Sequence, residues 1–533
     1  MKYIHKITAL ATTTCLLLFT SCDSDLEAIN QNPNDPEIVP TTTIFNSATK
    51  ELTDISRGAF SSGRIALPWV QYWTQNNYAN EDAYLYRESS ATDFWEDHYK
   101  LATDFKKILD LNTDEETKAT MSKYGSNNNQ IAAARIMLSY IFHQLTDTFG
   151  DIPYYSYGND NPDFQALQVN EFLTPKFVSQ EVIYTDLLSE LKAASDMIET
   201  SEKVFTSGDA IYNGDAVKWK KFANSLILRV ANRLRGVDPT TANTAINTAI
   251  GAGVFESNDD NAAQIYEAAD ATGSPMYRAF FVNNRTDFGV AAPFINVLRG
   301  ESGSFGQDPR LFKYAAPNSA TAEQIKDNSY TVSTNIDDYD GFPYAFPNAA
   351  EIQFTTYTLP SHNVLRQDYS EVLMEYAEVA FILSEHNGWD QTEYENGVQA
   401  SMEKWGVDSG DITDFIANLP AAAQESVLTQ KYVALYMQPY EAWAEYRRTG
   451  FPKTLLLPGE EATITPEQFA NLSGDNPSDK YIFTPGVADM NDLPTRLRYP
   501  VVLQTLNGAN RKDAVSKLSN GDDLTSKLYW DNN

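Results

Sequence analysis

Aromatic side chains alternate with amides and carboxylates between residues 68 and 99 of the chain. An aromatic face supports the apolar face of a sugar or another amphipathic ligand, while neighbouring amides and carboxylates bind its hydroxyl groups. Because a tyrosine on a loop is less needed by the core, we expect the loop from Asn76 to Tyr86 to be exposed and to bind such a ligand. The candidate ligand-binding residues of this segment are Trp73, Asn76, Asn77, Tyr78, Tyr84 and Tyr86.

The alternative interpretation of this segment is a helical core. It is favoured for Trp69, Tyr72, Trp73 and Trp95 when each is taken singly, since large aromatic side chains dominate protein cores. A second aromatic loop, residues 337–348, is also predicted to bind ligand. Its candidate residues are Tyr339, Phe342 and Tyr344.

Three carboxylates in this second loop, Asp337, Asp338 and Asp340, precede Gly341 and resemble part of a calcium loop. The register of an EF-hand, however, would place Ile336 at the first ligand position, where a carboxylate is required. We therefore predict no metal or other cofactor, and an irregular structural calcium site at this loop stays open as the alternative.

Catalytic motifs are absent from the sequence. It contains no G-x-S-x-G elbow, no phosphate-binding P-loop and no H-E-x-x-H zinc helix. His98, His143, His362 and His386 are scattered without the spacing of metal ligands. A glycoside hydrolase needs only two well-placed carboxylates, and 72 acidic residues leave that class open. The sequence nevertheless favours a protein that is not an enzyme.

Charge and composition narrow the class of protein. The 533 residues include 40 basic and 72 acidic side chains, a formal net charge of −32, which argues against a nucleic-acid partner. With 42% hydrophobic and 12% aromatic residues, the chain is too apolar for a disordered acidic protein. These values predict a folded body with a strongly acidic surface.

The N-terminus has the pattern of a bacterial lipoprotein signal. Lys2 and Lys6 precede a short apolar run, and small residues then lead into Cys22. We predict a signal peptide over residues 1–21, lipid attachment at Cys22, and an acidic tether rich in Asn and Pro over residues 22–40. The alternative is an ordinary secretory signal in which the position of Cys22 is a coincidence.

Amphipathic helical periodicity runs through most of the remaining chain, and strand-like alternation is scarce. We therefore predict a mainly α fold built as a scaffold of helical pairs with long loop-rich insertions, and a single domain over residues 41–533. Long loops are expected over 150–176, 300–330 and 335–363. The clearest apolar stripes are Ile183 to Ile198, Phe222 to Leu234, Ile131 to Leu145 and Leu373 to Leu383.

A series of short motifs, in this order, resembles the SusD/RagB-like outer-membrane lipoproteins, and most closely the branch called SusD-like group two. Each motif is weak alone, but their joint order is specific and spans nearly the whole chain after the signal. The motifs are Ile29–Asn34, Thr146–Ser156, Gly214–Leu234, Asn283–Ala291, Asp308–Leu311, Glu441–Pro452, Pro494–Pro500 and the closing Tyr529–Asn532.

The resemblance implies a nutrient-binding protein without catalytic activity, anchored by its lipid to the outer membrane and facing the cell exterior. It implies a scaffold of tetratricopeptide-type helix pairs and a SusC-like TonB-dependent transporter as partner, to which a captured glycan is delivered. A peptide ligand and a surface-anchored glycoside hydrolase remain the alternatives. Trp443, Arg447 and Arg448 lie in a family motif and are expected to brace helices; the aromatic loops are inferred from the residues and not from the family.

Overall fold

The computed structural model describes residues 38–77, 79–347, 354–472 and 477–531. The predicted signal peptide, Cys22, most of the tether and Tyr78 lie outside the described residues. Within these ranges, no helix combines the length and the apolar character that crossing a membrane requires.

Helices dominate the described chain, which confirms the mainly α prediction. Two segments, Ala59–Ala66 and Arg278–Val282, are π-helical, and short 3₁₀ turns join several elements. The α-helices are α1 (Thr41–Ser56), α2 (Leu67–Trp69), α3 (Glu88–Thr113), α4 (Lys118–Met121), α5 (Asn127–Phe149), α6 (Gln180–Met197), α7 (Ala216–Arg233), α8 (Pro239–Ala252), α9 (Pro275–Tyr277), α10 (Ala292–Arg299), α11 (Leu311–Tyr314), α12 (Ala322–Lys326), α13 (His362–Leu365), α14 (Tyr376–His386), α15 (Gln391–Lys404), α16 (Ser409–Ala417), α17 (Gln424–Ala434), α18 (Pro439–Thr449), α19 (Pro466–Phe469), α20 (Leu503–Leu506) and α21 (Gly508–Ser516).

The strands are short and form three two-stranded antiparallel sheets among the described residues. In the first sheet, Trp73 pairs with Val290 and Gln75 with Phe288. The strands are β1 (Trp73–Gln75), β2 (Ala262–Gln264), β3 (Phe288–Val290), β4 (Glu371–Met374), β5 (Glu461–Thr463) and β6 (Lys480–Ile482), paired β1 with β3, β2 with β4 and β5 with β6.

Helices adjacent in the chain pack as successive pairs, as the sequence predicted. Helix α1 packs on α3, α3 on α5, α5 on α6, α6 on α7 and α7 on α8. A second group joins α14, α15, α16 and α17, and α14 also packs on α7. The segments between and after these two groups carry all the strands except β1, which lies between α2 and α3.

Helix α7 shows why the predicted stripes fold as helices. The carboxylate of Asp215 caps its first turn by accepting the N–H groups of Val217 and Lys218. The apolar face that contains Phe222 and Leu226 is fully buried. One expectation is wrong: Leu373 does not begin a helical stripe, because residues 371–374 form β4 against β2 and the helix starts only at Tyr376.

A network of buried charges joins the two helical groups. Arg233 of α7 is fully buried, and its guanidinium contacts Asp147 of α5 and both Glu441 and Glu445 of α18. Burial alone would raise the pKa of Glu441, but the guanidiniums of Arg233 and Arg229 outweigh burial and lower this pKa to about 2. The carboxylate is therefore ionised, and the network is a set of true ion pairs.

The expected bracing role of the motif in α18 is confirmed. The indole of Trp443 donates to the carbonyl of Pro494, and the Arg447 guanidinium lies 3.7 Å from the centre of the Trp443 ring. Arg447 also donates to the carbonyl oxygens of Asp147 and Thr495. Arg448 forms a two-pronged pair with Glu385 of α14 at 2.8 and 2.7 Å.

Removing the central cation of this network should destabilise the scaffold. We expect Arg233→Leu to lower the free energy of unfolding by roughly 3 to 5 kcal/mol, because three buried carboxylates would lose their partner. The matched control is Lys192→Leu, which removes an exposed cation paired with Asp196 and should change stability by less than about 1 kcal/mol. Urea unfolding of the purified variants measures both values, and equal losses in the two would contradict the assignment.

Candidate ligand-binding site

Three candidate rings of the first aromatic segment, those of Trp73, Tyr84 and Tyr86, lie against the core, so the expectation of exposed rings is wrong for them. Trp73 and Tyr84 are fully buried, and Tyr86 is only 8% exposed. The indole of Trp73 donates to the hydroxyl of Tyr436 at 2.9 Å. The hydroxyl of Tyr86 accepts the backbone N–H of Arg498 at 3.0 Å. Rings held in this way brace the loop and offer little face to a ligand.

The second aromatic loop is also buried, which corrects the expectation for Tyr339, Phe342 and Tyr344. The backbone of Phe342 donates to the carbonyl of Val290 in β3 and accepts the N–H of Ala292, so the loop is hydrogen-bonded to the edge of the first sheet. The hydroxyl of Tyr344 donates to the carbonyl of Asp82 at 3.0 Å. The two aromatic loops therefore hold each other.

The three carboxylates of this loop have other partners. Asp337 accepts from Arg299 at 3.2 Å, Asp338 pairs with Ser333, and Asp340 accepts from Asn318 at 2.9 Å. No group of three or more His, Cys, Asp or Glu side chains among the described residues could hold a metal ion. The structure does not bring Asp337, Asp338 and Asp340 together as a calcium site.

Asn76 and Asn77 do reach the surface. They follow β1, and the register of the first sheet places them beside the residues that precede β3. The amide of Asn76 donates to the carbonyl of Thr286 and to the hydroxyl of Tyr357, each at 3.0 Å. The exposed Asn77 lies 3.5 Å from a carboxylate oxygen of Asp287.

Asp82 ties the turn formed by residues 79–85 to β1. This fully buried carboxylate accepts the hydroxyl of Thr74 at 2.5 Å and the N–H of Gln75 at 2.8 Å, tying the turn to β1. Burial raises the pKa of Asp82 to about 7, against an ordinary value of 3.8. The carboxyl group that ties the turn to β1 therefore has a pKa near neutral pH.

An exposed ring that the sequence patterns did not single out lies near the same surface. Phe60 belongs to the first π-helical segment and is 52% exposed. The guanidiniums of Arg64 and Arg285 lie 4.9 and 4.7 Å from the centre of its ring. Arg285 in turn lies 3.7 Å from Asp287, so charged contacts lead from Phe60 to Asn77. The sequence feature that could have identified Phe60 is its position as the one large side chain among small residues in the segment 58–63.

A cleft of about 320 Å³ opens beside Phe60, near the lower end of the range for small-ligand sites, about 300 to 1,000 Å³. Both π-helical segments of the described chain border it, and such segments are uncommon and often lie at functional sites. The π-helical turn can approach β3 closely because a Cβ at Gly63 would lie only 2.9 Å from the Phe288 ring. Polar side chains in the cleft are Asp54, Ser61, Ser90, Asp93, Asp97, Arg278, Asn283 and Arg285.

Charges in the cleft are mixed and partly paired. Arg278 contacts Asp54 at 2.5 Å, and the pKa of Asp97 is raised by partial burial. An aromatic face beside guanidinium, carboxylate and amide groups provides both donors and acceptors for the hydroxyls of a ligand that stacks on Phe60. This arrangement suits binding of a neutral polyhydroxylated molecule.

Comparisons with known proteins agree with this architecture. A family model described as starch-binding proteins associating with the outer membrane matches residues 33–469, and a second model, Susd and RagB outer membrane lipoprotein, matches residues 420–531. No protein with a curated record matches the sequence.

Solved structures share the fold at low sequence identity. A chitin-binding protein has a TM-score of 0.70 and 23% identity, covering 92% of this chain and all of its own. A SusD homologue from Parabacteroides distasonis has a TM-score of 0.72 and 22% identity, covering 92% and 98%. A chitin-binding SusD homologue from Flavobacterium johnsoniae has a TM-score of 0.68 and 21% identity, covering 92% and 99%.

Order in the turn after β1 should depend on pH through Asp82. Because its folded pKa lies above the unfolded value, the native state binds the extra proton between about pH 4 and 7, and local stability falls as pH rises through that window. We expect hydrogen exchange of residues 74–86, corrected for intrinsic rates, to be slower at pH 5 than at pH 8. Asp82→Asn should remove this difference; its persistence in that variant would assign the effect to another group.

Proposed function

The chain belongs to the SusD-like family of outer-membrane lipoproteins, and from this premise we propose that it captures a glycan at the cell surface and delivers it to a SusC-like TonB-dependent transporter. Proteins of this family bind ligands and are not enzymes. The proposal includes lipid attachment at Cys22 and a body that faces the cell exterior.

The observation that carries this proposal is the exposed Phe60 ring at the cleft between the two π-helical segments. Its partners Arg64 and Arg285 hold the ring in place, and Asn77 and Asp287 extend the polar surface beyond it. A hexose presents an apolar face of C–H groups and a rim of hydroxyls, and this surface is complementary to both. We therefore retain Asn76, Asn77 and Tyr78 as candidate binding residues and add Phe60 and Arg285.

Starch-type and chitin-type glycans are the first ligands to test. The matching family model is described as starch-binding, and two of the structurally similar proteins are described as chitin-binding. Both polymers are uncharged chains of hexose units, which fits a protein whose net charge of −32 disfavours anionic ligands.

Truncating the exposed ring should weaken glycan binding without unfolding the protein. We expect Phe60→Ala to raise the dissociation constant about tenfold, because it removes a stacking contact of roughly 1.4 kcal/mol. Asn77→Ala should raise it about threefold to fivefold, because it removes a hydrogen bond of roughly 0.7 to 1 kcal/mol. Calorimetry and affinity electrophoresis with maltoheptaose, N-acetylchitohexaose and the parent polymers measure this.

The matched control is Val217→Ala, which trims an exposed apolar side chain on α7 and should leave affinity unchanged. Product analysis accompanies each assay. Unchanged affinity in both Phe60→Ala and Asn77→Ala would show that the glycan binds elsewhere on the protein. Release of reducing ends by the pure wild-type protein would favour the hydrolase alternative, and selective retention of a peptide would favour a peptide ligand.

Membrane attachment should depend on one cysteine. We expect Cys22→Ser to abolish incorporation of labelled palmitate and to release the protein from the outer-membrane fraction, whereas Cys15→Ser should do neither. Surface labelling of intact cells tests the orientation, and co-purification with a SusC-like transporter from the native cells tests the partnership. Membrane retention of Cys22→Ser would contradict the lipid anchor.

A further inference from the structure

A second groove lies on the other half of α3, apart from the cleft at Phe60. The segment 155–172 forms one wall, and the C-terminal half of α3, from Thr103 to Asp110, forms the other. Its volume is about 990 Å³, at the upper end of the range for ligand sites. Asp97 of the first cleft and Lys106 of this groove are nine residues apart on one helix, or about 14 Å at 1.5 Å per residue.

Aromatic rings line the groove and are only half-buried. They belong to Tyr155, Tyr157 and Phe172. The ammonium of Lys106 lies 5.7 Å from the centre of the Tyr155 ring, and the guanidinium of Arg135 lies 5.1 Å from that of Tyr157. Each tyrosine ring is thus positioned by a cation and keeps part of its surface in the groove.

The wall that carries Tyr157 is built on a buried ion pair. Arg135 of α5 and Glu190 of α6 form two hydrogen bonds, at 3.0 and 2.9 Å. Glu190 also accepts the backbone N–H of Gly158 at 2.8 Å. A Cβ at Gly158 would lie 2.5 Å from the Glu190 carboxylate, so this close approach requires glycine. The residue next to Tyr157 is thereby fixed directly to the helical scaffold.

A second buried carboxylate fixes the same wall. Asp186 of α6 accepts the hydroxyl of Tyr154 at 2.9 Å and the amide of Asn159 at 2.6 Å. Asp186 is 4% exposed, and its hydrogen bond with Tyr154 is buried, whereas the one with Asn159 is partly buried. With anchors on both sides of the tyrosine pair, the rings are ordered before any ligand arrives, which lowers the entropic cost of binding.

Polar groups with unused hydrogen-bonding capacity surround these rings. The hydroxyls of Tyr155 and Tyr157 and the side-chain amide of Asn170 make no hydrogen bond to another described residue. The cations nearest the rings are already paired, Lys106 with Asp110 and Arg135 with Glu190. The groove therefore offers ring faces, hydroxyls and amides, and the other charged residues that line it, Lys107, Asp160 and Glu171, carry both signs of charge.

We propose that this groove is a second saccharide-binding site, which takes a short neutral oligosaccharide stacked on Tyr157 and hydrogen-bonded by Asn170. This goes beyond the proposed function, because it assigns a site on a separate face of α3 with its own residues. Two sites on one rigid helix would hold a long chain at two points and raise its apparent affinity without any new contact.

Hydrogen exchange with mass spectrometry tests the proposal, because it reports each site on its own peptides. The full-length protein is mixed with maltoheptaose, N-acetylchitohexaose, cellohexaose, xylohexaose or mannohexaose in turn. We expect at least one of these glycans to slow exchange over residues 155–172, and to do so still in Phe60→Ala, where the first site is damaged. Protection at residues 58–64 and 283–287 reports binding at the first site separately. The experiment can therefore contradict the groove proposal and the proposed function independently of each other.

Variants of the groove separate stacking from loss of structure. Tyr157→Ala and Asn170→Ala should each weaken the groove's binding, about tenfold and about threefold, whereas Tyr157→Phe should retain it. Because Asn170 is exposed, its variant keeps the fold even where Tyr157→Ala loosens the wall; exchange without ligand checks this. Protection confined to the first site, no protection with any of the five glycans, or wild-type groove affinity in both alanine variants would overturn the proposal.

Discussion

Buried charge is the constraint on which the helical scaffold depends. Arg233 is fully enclosed, and an ion in that position is tolerated only when its partners are all in place. Those partners lie on α5 and α18, far from α7 in the chain, and Lys431 and Arg448 extend the same set through Glu445 to α17 and α14. The two helical groups therefore come together in one arrangement, because a shifted helix would leave a charge without its partner.

The candidate sites lie where this scaffold ends and irregular chain begins. The Phe60 cleft is bordered by the end of α1, by α3 and by the segment that leads to β3, while the groove at Tyr157 uses the far half of α3. In both, a buried carboxylate holds the loop: Asp82, within the loop after β1, accepts from Gln75, and Glu190 and Asp186 of α6 accept from the wall beside Tyr157. Recognition surfaces are thus supported by carboxylates that face inward.

Sequence patterns predicted the helices well because their period follows directly from burial on one face. The stripes in α5, α6 and α7 and the bracing role of Arg447 and Arg448 were all recognisable. The stripe from Leu373 was misread because a fully buried strand and a buried helical face look alike over four residues. Exposure of the aromatic loops could not be predicted, because a tyrosine among polar residues packs inward when a distant backbone carbonyl accepts its hydroxyl, as Asp82 does for Tyr344. The role of Phe60 could not be predicted from local sequence, because Arg285, which contacts its ring, is more than 200 residues away in the chain.

The inward-facing ion network has an evolutionary consequence. Its members lie within helices, and they make no contact through the loops that shape either ligand surface. Substitutions in those loops can therefore accumulate without disturbing the packing of α7 against α14 and α18. Proteins with only 21 to 23% identity to this chain keep TM-scores of 0.68 to 0.72 over 92% of it. The ion network therefore constrains which helices pack together and places no demand on the side chains of the ligand-facing loops.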